Sequence, residues 1–104
     1  MNLFREFLDI LKQKYTSHHH VADYSELMGI TDKRLNRACK AITGQTASEV
    51  IQRHIGHEAK RLLYYSTNTI KEISYHLGYH DPAHFNKFFK NRYGMTPGDY
   101  RKVL

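Results

Sequence analysis

Residues 78–101 read GYHDPAHFNKFFKNRYGMTPGDYR, and the order of residue types in that stretch decides the fold. Gly78 follows an apolar helical run and tolerates the positive φ that closes a helix. Asp81 is an N-cap residue. Pro82 suits a first helical position, where an N–H would be unpaired in any case. Phe85, Phe88 and Phe89 then fall on one face, with Tyr93 two turns after Phe85. The other face carries Asn86, Lys87, Lys90 and Asn91. Gly94 predicts a stop and Thr96-Pro97 a new start. The prediction is a helix with aromatics against a core and an amide plus cations toward something anionic.

Upstream, the chain says nearly the same thing once already. Adding 50 to Leu35, Asn36, Arg37, Lys40, Gly44 and Thr46 gives Phe85, Asn86, Lys87, Lys90, Gly94 and Thr96. Before the turn the offset is 49, pairing Val21 with Ile70, Ser25 with Ser74, Met28 with Leu77 and Gly29 with Gly78. Each copy is a short helix, a glycine turn and a basic amphipathic helix, the sequence form of a helix-turn-helix. A plain helical hairpin does not explain why each second helix pairs Asn with a basic residue, and a Lys three later, on its exposed face.

The remaining segments are helical too. Phe4, Phe7, Leu8, Leu11 and Tyr15 predict a helix over 2–15. Leu35, Ala38, Cys39 and Ile42 form the expected buried stripe of the first basic helix. Thr46-Ala47-Ser48-Glu49 opens a long helix to about Ser66, with Val50, Ile51, Ile55, Ala59, Leu62 and Leu63 inward. Gly56 inside it predicts a close packing contact. Thr69-Ile70-Lys71-Glu72 is a second capping box. The expected fold is all-α, with about seven helices in two helix-turn-helix lobes of homeodomain-like form. Lobe 1 spans about 1–45, a linker helix about 46–66 and lobe 2 about 67–104. A helix of roughly 20 residues spans on the order of 30 Å. Successive major grooves on one DNA face lie about 34 Å apart, so one chain is expected to serve both.

Composition agrees with an anionic partner. The 104 residues carry a formal net charge of +6, which favours nucleic acid or a membrane surface. The first helix mixes Glu6 and Asp9 with its cations, and the basic helices bury their aromatics, which disfavours the membrane. No segment reads as a membrane span or signal peptide, so the expected location is the cytoplasm. Cys39 is the only cysteine, which excludes an intrachain disulfide and a thiolate zinc site, and it reads as buried packing. His18, His19 and His20 are consecutive in a loop, a spacing that does not converge on one metal, so no metal and no cofactor is expected. Scattered histidines with no nucleophile motif and no phosphate-cradling glycine loop argue against an enzyme, and no catalytic residue is assigned. The competing reading is a helical protein-interaction module without DNA binding.

DNA offers phosphates for affinity and base edges for specificity. Asn pairs two-pronged with adenine N6 and N7, and Arg or Lys with guanine O6 and N7. The base-reading candidates are Lys33, Asn36 and Arg37 in the first copy and Asn86 and Lys87 in the second. Thr31, Lys40, His84, Lys90, Arg92 and Arg101 are the phosphate candidates, together with backbone N–H groups at the helix starts near Thr31, Thr46, Asp81 and Thr96.

Gly78-Tyr79, Asp81, Phe85, Lys87, Phe89-Lys90, Gly94, Thr96-Pro97 and Tyr100-Arg101 together resemble the C-terminal signature of AraC-type transcription regulators. The resemblance covers nearly the whole chain. It implies sequence-specific binding of promoter or operator DNA, with RNA polymerase as a second partner. The family's contact positions fall on Lys33, Asn36 and Arg37, and on Pro82, Ala83, His84, Asn86 and Lys87. Pro82 and Ala83 lack hydrogen-bonding side chains, so the second copy is expected to read fewer bases. Ser25 and Ser74 stand where the family usually has Ala, with hydroxyls expected to bond back to a helical carbonyl. Ile55 stands where Arg is common and Ala47 where Pro is frequent. Most such regulators carry a further sensing or dimerisation domain, and none is expected within this chain.

Overall fold

The computed structural model describes residues 2–104. It contains α1 (Leu3–Lys14), α2 (Val21–Met28), α3 (Asp32–Thr43), α4 (Ala47–Tyr65), α5 (Ile70–His76), α6 (Pro82–Tyr93) and α7 (Pro97–Lys102). No strand occurs among the described residues. The helices gather into two compact units, Met1–His54 and Ile55–Leu104, and α4 contributes to both.

In the first unit α1 packs on α2 and α3, and α2 on α3. Phe7, Leu11, Tyr24, Leu35, Cys39, Ala47 and Ile51 are its buried core. Phe7 meets Tyr24 edge-on at 5.4 Å, and the Tyr24 hydroxyl donates to the His18 carbonyl at 2.7 Å. Burial pushes the Tyr24 phenol well up from its ordinary value and raises the Cys39 thiol. In the second unit α5 packs on α6 and α6 on α7, around Ile55, Ala59, Leu63, Ile73, Leu77, Phe85 and Phe89. Phe89 is the hub of its aromatic contacts, with Phe85 at 6.0 Å, Tyr93 at 4.7 Å and Tyr100 at 5.4 Å.

The two turns repeat each other bond for bond. Gly29 and Gly78 have φ of 67° and 95°, a region that an L side chain enters only at a cost. The N–H of Ile30 donates to the Ser25 carbonyl and that of Tyr79 to the Ser74 carbonyl, each at 3.0 Å. These are the bonds of a Schellman closure. The extra residue of the second turn lets Tyr79 lie against Phe85 at 5.4 Å and Phe88 at 6.0 Å. Ser25 and Ser74 bond back to the Ala22 and Lys71 carbonyls, as their place in the helices predicts. Ser25 also donates to the Asp32 carboxylate, which pins the end of α2 to the start of α3.

Two packing expectations meet different fates. A Cβ built on Gly56 would sit inside contact distance of the Tyr93 hydroxyl oxygen and 3.0 Å from its Cζ, the predicted close approach. Ile42, predicted to be inward, is 56% exposed. Its counterpart in the second copy is Arg92, so this position lies past the core in both copies. Ile42 instead borders a surface hollow with Phe4 and Ala38.

Candidate nucleic-acid interface

Local chemistry fixes where each basic helix starts. Thr31 caps α3, its hydroxyl accepting from the Arg34 N–H at 3.1 Å. Asp81 caps α6, its carboxylate accepting from the Ala83 N–H at 2.9 Å, with Pro82 in the first turn. With Leu35 and Cys39 buried on α3 and Phe85 and Phe89 on α6, the opposite faces turn to solvent. Lys33, Arg37 and Lys40 are exposed on α3, and His84, Lys87 and Lys90 on α6. Asn36 and Asn86 are half-buried beside them. Lys33, Asn36, Arg37 and Lys40 line one shallow hollow with Ala41, so four candidates of the first copy form a single surface.

Arg101 is placed otherwise than expected. Its Nη1 donates to the Asn68 carbonyl at 2.6 Å and its Nε to the Leu63 carbonyl at 3.1 Å. Its Nη2 donates to the carbonyls of Ser66 at 3.2 Å and Leu62 at 3.5 Å. No basic residue lies in the last turn of α4, so Arg101 supplies from α7 the positive charge and donors that a helix C-terminus lacks. Its guanidinium is thus engaged by backbone carbonyls at the end of α4. Arg92 is half-buried, with its guanidinium 5.9 Å from the Tyr93 ring, so less of it faces solvent than of Lys90.

The helix starts are also changed. The Asp81 carboxylate already occupies the N-terminus of α6, and Asp32 sits in the first turn of α3. A phosphate near either start would meet a like charge as well as the helix N–H groups. In the histidine loop, the His18 ring is 2.7 Å from the Ser17 hydroxyl and the His20 N–H donates to Asp23 at 3.2 Å. Among the described residues no group of three or more His, Cys, Asp or Glu lies close enough to hold a metal. No described helix is long and apolar enough to cross a membrane.

One contact escaped the sequence reading. The Asn36 Oδ1 accepts from the backbone N–H of Ala47 at 2.8 Å, so a presumed base reader also caps α4. The signal was present: the repeat sets Ala47, which has an N–H, against Pro97, which has none.

Two glycine-turned helix pairs, each exposing a basic second helix over an apolar stripe, define a paired helix-turn-helix DNA-binding domain. A helix-turn-helix domain family matches residues 24–103, and the chain belongs to the AraC-type family of these transcription-regulator domains. Over 99 residues it is 28% identical to the HTH-type transcriptional activator RhaS of Yersinia pestis, covering 95% of this chain and 36% of that one. The chain therefore spans about a third of the length of the curated relatives it matches. Among solved structures, the C-terminal domain of AraT, a response regulator from Geobacillus stearothermophilus, aligns with a TM-score of 0.91 at 20% identity, covering 100% of this chain and 87% of that one. The C-terminal domain of the response regulator yesN from Fusobacterium nucleatum gives 0.86 at 24%, covering 97% and 99%. The DNA-binding domain of AdpA, solved with a target DNA, gives 0.85 at 17%, covering 99% and 93%.

Proposed function

We propose that this chain binds double-stranded DNA sequence-specifically by laying α3 and α6 in the major groove, as the DNA-reading part of a transcription regulator. The observation that carries the reading is the repeated exposed face: Lys33, Arg37 and Lys40 on α3, Lys87 and Lys90 on α6. Arg37 and Lys87 are the leading base readers, suited to guanine O6 and N7, with Lys33 beside them. Lys40 and Lys90 are the leading phosphate ligands, assisted by Thr31, His84 and Arg92. With DNA as the target, the chain is taken to act in the cytoplasm. RhaS of Yersinia pestis is named a transcriptional activator, and on that kinship we infer RNA polymerase as a second partner.

A mobility shift with random-sequence duplex at low salt tests the reading. The chain is expected to retard the duplex, and added salt to release it, because neutralised phosphates release counterions. A chain that leaves duplex DNA unshifted at low salt is a protein-interaction module instead.

A further inference from the structure

Asn36 and Asn86 occupy matching places in the repeat but are held differently, and we infer that they meet DNA as different groups. Asn36 faces it as a hydrogen-bond donor only, and Asn86 as the donor–acceptor pair that reads adenine. The inference rests on the reading of α3 and α6 as DNA-facing helices.

Ala47 is fully buried and is the first residue of α4, so its N–H has no partner within the helix. The Asn36 Oδ1 accepts from it at 2.8 Å. Chemistry fixes the amide's orientation, because Nδ2 in that place would set two donors against each other. The oxygen that reaches a buried N–H is turned into the fold, and Nδ2 is left for the outside. Two-pronged pairing with adenine needs the oxygen for N6 and the nitrogen for N7. Asn36 offers only the nitrogen half, which suits an acceptor such as guanine O6 or N7, thymine O4 or a phosphate oxygen.

In the second copy the place of Ala47 is taken by Pro97, also buried, which has no N–H to satisfy. Asn86 is half-buried, and its side chain makes no hydrogen bond among the described residues. Both halves of its amide are open to a base edge. Adenine recognition therefore belongs to the second unit, although its helix begins with Pro82 and Ala83.

The test compares the wild-type chain with N36A, N36D and N86A. Each is taken through selection from a random duplex pool. Each is then titrated on the wild-type selected duplex, with purine, which lacks the 6-amino group, replacing each adenine in turn. N86A is expected to flatten the preference for one adenine. Purine at that position should weaken the wild type by about tenfold or more and leave N86A unaffected. N36A and N36D are expected to bind more weakly while keeping every adenine preference. Asp at position 36 keeps an oxygen for Ala47, so poor folding of N36A would not hide the result. Loss of an adenine preference in N36A or N36D, its survival in N86A, or wild-type affinity in N36D would overturn the inference. Failure of the wild-type chain to select any sequence would instead sink the DNA-binding reading.

Discussion

Arg101 and Gly56 show what single residues do in this chain. Arg101 ties α7 to the open carbonyls at the end of α4. Arg101→Ala should lower unfolding stability by about 1.5–3 kcal/mol, the range for hydrogen bonds to a charged group, as read by urea titration. The folded fraction should keep its DNA affinity, since Arg101 faces backbone carbonyls. At Gly56 an added methyl gains up to ~1 kcal/mol of helix propensity. It also collides with Tyr93, whose ring carries Lys60 Nζ at 3.8 Å. Overpacking of this kind costs about 1–3 kcal/mol, so Gly56→Ala should be destabilising overall. Adding Tyr93→Leu should recover part of the loss in a double-mutant cycle, because it removes the ring the methyl meets. Strict additivity of the two changes would argue against the collision.

At the scale of elements, the local signals were the legible ones. The caps at Thr31, Thr69, Asp81 and Thr96, the glycine turns and the serine back-bonds all join residues a few positions apart. Residue type at a fixed offset is enough to read them. Asn36 to Ala47 spans 11 positions and Arg101 to Leu63 spans 38. Such side-chain-to-backbone bonds depend on how helices pack, which periodicity does not encode. Ile42 misled for a related reason: its spacing fits the stripe, but α3 outruns the core it packs on. The candidate site was legible as a basic face, and not as a set of side chains with prior commitments.

The capping box of α5 makes a prediction of its own. Glu72 accepts from the Thr69 N–H at 2.9 Å, while the Thr69 hydroxyl accepts from the Glu72 N–H at 3.1 Å. The backbone bond first, then the side-chain bond, holds the Glu72 carboxyl below its ordinary value of 4.5. A depressed folded-state pKa gives stability that is fully present above the unfolded value. That stability is lost as pH falls through the lower folded value. Acid should therefore loosen the first turn of α5, seen as faster amide exchange at Thr69 as pH falls below about 4.5 than the intrinsic pH trend allows. Glu72→Gln should remove that pH step. A step of equal size in Glu72→Gln would assign it to another carboxylate.

For the whole molecule, two units with separate cores each present one basic helix, on a chain with a net charge of +6. The charge supplies affinity without sequence information, and the side chains of α3 and α6 supply discrimination. The most direct measurement is selection of bound duplexes by the wild-type chain, by Arg37→Ala and by Lys87→Ala. The wild-type motif should contain two separate specified elements. Arg37→Ala should flatten a position in one of them and Lys87→Ala a position in the other, each at a cost of roughly 1–3 kcal/mol against the wrong base. A motif with one element, or one that neither substitution alters, would contradict reading by both helices.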